Sequence, residues 1–187
     1  MAAPTDIAVK AVQRLFGYAA LHAQHLQTYR EGDELKFHLD HFLLTITAAV
    51  QNIISLVPKL YSGSMLTTPR AETLRINPTL QVVCWAWHAR NHVAHNYLTL
   101  VWSQEAEMTF GDGFAAINGS ALNATLVVEL QPVEDEQGNT IHAPKLQPHE
   151  VAEECLSFWE ATFNYVLMTP KSGRYTYQEL AAHWQAN

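Results

Sequence analysis

Cysteine, glycine, proline and charged residues are all scarce in this chain. Its 187 residues include two cysteines, eight glycines and eight prolines, and only 16% of them are charged. Cys84 and Cys155 lie far apart within helical patterns, which predicts buried thiols rather than a disulfide framework. The hydrophobic content of 48% excludes a disordered chain, and the length predicts one globular domain over residues 1–187.

Motifs of several large enzyme classes are also missing. No glycine-rich loop of the phosphate-cradling type occurs, and no serine lies in a nucleophile-elbow pattern. These absences argue against a nucleoside triphosphatase and against a serine hydrolase.

Neither a targeting leader nor a membrane span is evident. The opening MAAPTDIAVK lacks a basic stretch followed by an apolar core. The nearest approach to a span, FLLTITAAVQNIISLV at residues 42–57, is short and contains Gln51 and Asn52. We therefore expect a cytoplasmic protein with no membrane partner.

Basic residues are few, and they are unevenly distributed. The net charge is −7. Residues 1–100 hold eight Lys or Arg against six Asp or Glu, whereas residues 101–187 hold three against twelve. A general nucleic-acid binder shows a basic stripe, which this chain lacks. Any nucleic acid should therefore be contacted locally, by the first half.

Apolar residues recur at helical spacing in four long segments, which predicts a mainly α fold. The predicted long helices cover about 6–30, 34–60, 78–103 and 148–168. Asp33 is predicted to cap the second helix, Pro58 to end or kink it, and Pro78 to open the third. Residues 61–77 form a connector with at most a short helical turn, and TYQELAAHWQA, residues 176–186, predicts a short C-terminal helix.

A different pattern separates the third and fourth long helices. Residues of about 107–146 are rich in Gly, Asn and Thr, and ATLVVEL has the composition of a strand. DEQGN is a turn signal before TIHAPKL. The predicted fold is therefore a four-helix bundle with a small antiparallel β insertion of two to four strands between helices 3 and 4, followed by the C-terminal helix.

The segment CWAWHARNHVAHNYLTLVW, residues 84–102, places polar residues inside an apolar helix. Asn91 and His95 stack one turn apart, on a face shared with His88 and His92. Arg90 is rotated by roughly 140° from His95 on an ideal helix, so its long side chain must reach round. An arginine offers a planar cationic fork to a phosphate, and a neutral histidine can accept a proton from a hydroxyl. RNA presents both groups together, and such chemistry needs no metal.

Arg90-Asn91-x-x-x-His95 in a helical protein resembles the Arg-x4–6-His motif of the HEPN family, in which the residue after the arginine is often asparagine. The resemblance covers the helices, and residues 107–146 depart from the minimal bundle. It implies a homodimer whose two motifs face a shared cleft. Many members of the family are metal-independent endoribonucleases that need no cofactor and act as toxins or in antiviral defence.

Carried onto this chain, the resemblance implies that Arg90 stabilises the phosphate, Asn91 orients the site and His95 is the acid or base. In a symmetric dimer the second His95 supplies the complementary acid. RNA would be the substrate, and a cognate antitoxin or another defence protein a partner. His88, His92 and Asp40 are the predicted supporting residues.

Three other interpretations of these residues stay open. His95 can be a hydrogen-bonded core residue, with Arg90 paired to a carboxylate such as Asp40. The chain can be a catalytically silent HEPN-like module that binds a protein or a nucleotide through its Trp-rich face and β insertion. Metal binding is the third, because seven of the ten histidines lie in the first three predicted helices. Its alternative ligands are His88, His92, His95, His38 and His41, with His22 and His25 interpreted as surface or packing residues.

Overall fold

A computed structural model describes residues 4–28, 32–94, 100–107 and 123–186. Its helices are α1 Pro4–Thr28, α2 Gly32–Leu60, α3 Ala71–Ile76, α4 Gln81–Ala94, α5 Pro148–Met168 and α6 Tyr177–Gln185, with a 3-10 turn at Pro78–Leu80. Its strands are β1 Ser64–Met65, β2 Leu100–Glu107, β3 Asn123–Leu130, β4 Val133–Glu134, β5 Thr140–Ile141 and β6 Gly173–Arg174. The predicted mainly α fold with small sheets is confirmed.

Helices α1, α2, α4 and α5 enclose the core. Helix α1 packs against α2 and α5, and α4 packs against the same two helices. The buried residues of α1 recur at intervals of three and four, as a helix with one apolar face requires: Val12, Phe16, Ala19, Ala23 and Leu26. Cys84 and Cys155 are free thiols buried in this core, as predicted. Burial raises the pKa of Cys84 to about 12, so its thiol is inert near neutral pH.

Helix α2 is the most apolar helix of the core. Over Asp33–Leu60 its length and composition would suffice to cross a membrane, and this is the one such helix in the described ranges. Core helices of soluble proteins meet the same criterion, and 44% of the most apolar window in α2 is buried inside the molecule. Leu39, Phe42 and Ile46 are among its core residues.

The start of α2 differs from prediction, whereas its end at Leu60 agrees with it. Asp33 does not cap the helix, because α2 already begins at Gly32 and Asp33 lies in its first turn, where a carboxylate favours the helix dipole. Pro58 lies inside the helix, which ends two residues later at Leu60. A proline so close to the end removes a single backbone hydrogen bond, and a short extension past it is tolerated.

The third predicted helix is wrong at its C-terminal end. Helix α4 is described to Ala94, and residues 100–103, which were predicted to be helical, belong to β2. Strand β2 pairs antiparallel with β3, from Leu100 opposite Leu130 to Glu107 opposite Asn123. Trp102, predicted to lie on a helical aromatic stripe, therefore lies opposite Val128 in a ladder. An apolar run of Leu, Val and Trp suits either element, and the partner strand decides between them.

The predicted turn at DEQGN is confirmed. Strands β4 and β5 pair antiparallel on either side of it. The Asp135 Oδ1 accepts hydrogen bonds from the amides of Gln137 and Asn139 at 2.9 and 2.8 Å, and Gly138 adopts a φ of 78°. Partial burial opposes ionisation of Asp135, but these hydrogen bonds outweigh it and lower the pKa of its carboxyl group.

A parallel strand pair ties the C-terminal region to the connector after α2. Ser64 lies opposite Gly173 and Met65 opposite Arg174. This pairing of β1 with β6 was not predicted, because two-residue strands leave no periodic pattern. The predicted C-terminal helix follows as α6, with Thr176 as its N-cap.

Candidate functional site

Helix α4, which carries the predicted motif, is anchored along most of its length. Trp85 is fully buried, and its Nε1 donates a hydrogen bond to the Gln131 carbonyl oxygen at 2.8 Å. Ala86 and Ala89 are fully buried as well. Arg90, the first residue of the motif, follows directly and is half-buried.

Of the predicted catalytic residues, Arg90 is the one whose side chain is described. Asn91 and the predicted supporting residue His92 are described as backbone within α4. His95 lies outside the described residues. Arg90 lies on α4, four residues before the described end of that helix at Ala94.

His88, predicted as a supporting residue, positions the backbone. It is 2% exposed, and its Nε2 donates to the Pro69 carbonyl oxygen at 3.2 Å. One turn earlier, the Cys84 thiol donates to the Arg70 carbonyl oxygen at 3.6 Å. These two contacts fix the segment before α3 against the motif helix.

Asp40, the other predicted supporting residue, lies on α2 beside Lys36. The two side chains form an ion pair across one helical turn. Such partly exposed i, i+4 pairs contribute a few tenths of a kcal/mol. The carboxylate of Asp40 therefore has a local cation of its own.

Histidines of α1 and α2 form a cluster that sequence reasoning missed. The Nδ1 atoms of His22 and His38 lie 3.1 Å apart, and the rings of His25 and His38 stack with centroids 4.5 Å apart. The ring of His41 lies 5.4 Å from that of His22, and its Nδ1 contacts the Phe37 carbonyl oxygen at 2.8 Å. The matching spacings His22-x2-His25 and His38-x2-His41, on helices joined by a short turn, were the available signal.

This grouping differs from the alternative metal-ligand set. His38 and His41 have α1 histidines as neighbours, whereas His88 on α4 contacts Pro69. Across the described ranges, no group of three or more His, Cys, Asp or Glu side chains is arranged to hold a metal ion. For two further predicted ligands, the side chain of His92 and the whole of His95 lie outside the described residues.

The histidine cluster favours neutral imidazoles. Burial lowers the pKa of His22, and the neighbouring His41, His38 and His25 lower it further. Burial likewise lowers the pKa of His38, with contributions from His25 and His41, while Glu34 opposes the shift. Protonation would place like charges side by side between α1 and α2.

We expect this cluster to make folding sensitive to acid. Because the pKa values of His22 and His38 lie below the usual 6.5 in the folded state, the unfolded chain takes up protons first as the pH falls. The stabilising contribution is complete above about pH 6.5 and is lost as the pH falls through the folded-state values. Urea unfolding at pH 7.5 and pH 5 should give the lower midpoint at pH 5.

His38→Gln should reduce that difference between the midpoints, because it removes one titrating group from the cluster. His142→Gln, at an exposed site after β5, is the matched control and should leave the difference unchanged. Equal pH dependence in the wild type and His38→Gln would contradict the expectation.

Comparison with protein-family models, curated proteins and solved structures finds no match to this chain.

Proposed function

We propose that this protein is a HEPN-like, metal-independent endoribonuclease. The observation that carries the proposal is the Arg90-Asn91-x-x-x-His95 pattern, which starts at a half-buried arginine directly after the buried Ala89 of α4. The proposal includes a four-helix bundle made of α1, α2, α4 and α5, and a homodimer in which two such motifs share one cleft. It also includes a cytoplasmic role as a toxin or defence component with a cognate partner protein.

In the proposed reaction, Arg90 binds the scissile phosphodiester through its guanidinium fork. His95 accepts the proton of the adjacent 2′-hydroxyl, and the 2′-oxygen forms a bond to phosphorus while the bond to the 5′-oxygen breaks. The second His95 of the dimer donates a proton to that leaving oxygen. The products are a 2′,3′-cyclic phosphate and a 5′-hydroxyl, and no metal or cofactor takes part.

The packing of α4 supports this assignment. A catalytic group must be held close to its working geometry by residues that are themselves fixed. Trp85 is locked to Gln131, and His88 to Pro69, within the two turns before Arg90. The part of α4 that precedes the motif is therefore held rigidly in place.

A second candidate is a catalytically silent HEPN-like interaction module. The observation that favours it is the charge of residues 101–187, which include twelve acidic residues and only three basic ones. That excess repels RNA wherever it lies near the binding surface.

Incubation with a single-stranded RNA in EDTA tests the proposal. We expect cleavage to continue in EDTA, to produce cyclic phosphate ends, and to fail on the same sequence made with 2′-deoxyribose. Cleavage that EDTA abolishes would replace the proposal with a metal-dependent reaction. The absence of cleavage from the dimeric protein would favour the interaction module.

A further inference from the structure

A cavity of about 330 Å³ lies apart from the predicted motif, where the connector before α3 meets the segment between β6 and α6. Its walls present hydroxyl, amide and guanidinium groups, including Thr67, Thr68, Arg70, Asn77, Arg174 and Thr176. The volume lies at the lower end of the range for small-molecule sites. We call this cavity the arginine cleft.

Two permanently charged side chains define the chemistry of the arginine cleft. Arg70 belongs to the connector before α3 and Arg174 to β6, and both are exposed. Glu72 is the acidic residue of the lining, so the lining is cationic by one charge although the whole chain carries −7. Neither cleft arginine belongs to the ion pairs Lys36–Asp40 and Lys171–Glu179 in the described part of the chain.

Hydrogen bonds join the two segments that carry the arginines, so the backbone around the arginine cleft is fixed before any ligand arrives. Arg174 lies opposite Met65 in the β1–β6 pair, and the amide of Tyr175 donates to the Met65 carbonyl oxygen at 2.9 Å. The Tyr177 hydroxyl donates to the Thr67 carbonyl oxygen at 2.8 Å. A bound anion would be attracted by both guanidinium groups.

The arginine cleft is also adjacent to the motif helix. Thr68 and Arg70 line a second, smaller opening together with His88 of α4. The acidic residues Asp135 and Glu136 of the β4–β5 turn line the same opening. The carbonyl oxygens of Pro69 and Arg70 are the ones bound by His88 and Cys84. A ligand in the cleft would therefore contact a segment fixed to α4 within two residues of Arg90.

We propose that the arginine cleft binds a phosphate group. Arginine side chains pair with phosphate oxygens in a bidentate manner, and threonine hydroxyls and an asparagine amide add hydrogen-bond donors. A free nucleotide and the backbone of an RNA strand both offer this group. Binding of an RNA backbone rests on the proposed function, because the arginine cleft would then be part of the path of the RNA substrate. Binding of a free nucleotide does not rest on it.

Calorimetric titration at low salt with AMP, adenosine, inorganic phosphate and a 2′-deoxy oligonucleotide tests the proposal. We expect binding of at least one phosphate-bearing probe and none of adenosine. AMP binding would identify a nucleotide site, and binding of the oligonucleotide alone would identify a backbone site. Arg70→Gln and Arg174→Gln should each weaken the affinity by about 10-fold or more, since each removes charge-assisted hydrogen bonds.

Arg14→Gln is the matched control, since Arg14 is an exposed arginine on α1, away from the cleft lining. It should leave the affinity unchanged, and circular dichroism verifies that each variant is folded. Wild-type affinity in folded Arg70→Gln and Arg174→Gln, or no binding of any phosphate-bearing probe, would overturn the proposal. If the protein binds a phosphate-bearing probe but cleaves no RNA, the proposed function is overturned and the phosphate site stands.

Discussion

His95→Ala is expected to slow RNA cleavage by a factor of about 10² to 10⁴, the range that a positioned general acid or base contributes. The effect should lie in kcat, because the imidazole transfers a proton and makes little contact with the substrate in the ground state. Single-turnover cleavage of a labelled RNA measures it. The rate of the wild type should depend on pH, because one His95 must accept a proton and the other must donate one.

Two companion variants make this measurement specific. Arg90→Lys keeps the charge but loses the guanidinium fork, so we expect a loss of about 10-fold or more. His142→Ala removes an exposed imidazole after β5 and should cleave like the wild type. A His95→Ala protein that cleaves at the wild-type rate would contradict the assigned role.

Trp85→Ala should have the largest effect on stability, lowering the free energy of unfolding by about 3–5 kcal/mol. The side chain is fully buried, so its loss leaves a cavity, and it also removes the Nε1 hydrogen bond to Gln131. Urea unfolding monitored by circular dichroism measures the difference.

Trp85→Phe divides this effect between packing and hydrogen bonding. Phenylalanine retains most of the apolar contact but leaves the Gln131 carbonyl without its donor, which costs about 1–3 kcal/mol. Trp87→Ala, at a half-buried site on the same helix, should cost less than Trp85→Ala. A loss below about 1 kcal/mol in Trp85→Ala would show that α4 is not anchored as described.

The long helices were predictable because their apolar residues repeat with the helical period. Helices α1, α2 and α5 bury residues at those intervals, and errors were confined to their ends, such as the cap predicted at Asp33. The boundary after α4 was not predictable from local pattern. Leu100, Val101 and Trp102 suit a buried helix or a strand, and their pairing with β3, more than twenty residues later, selects the strand.

The candidate sites show the same division between local and distant information. The Arg90 motif is a local pattern, visible before any fold is known. Arg70 and Arg174, which line the arginine cleft, are distant in sequence, and their segments are brought together by the two-residue β1–β6 pair and by the Tyr177–Thr67 hydrogen bond. The histidine cluster is intermediate between these cases. Each pair of histidines is a local sequence pattern, but the contact between the two pairs depends on the packing of α1 against α2.

The position of the C-terminal segment bears on how this protein can be dissected. Tyr177 and Trp184 of α6 cover the aromatic rings of Phe158 and Trp159 on α5. A fragment ending at Met168 would expose these rings to water and lose one wall of the arginine cleft at the same time. The last segment is thus integral to the domain, and shortened forms of the protein should retain it through Gln185.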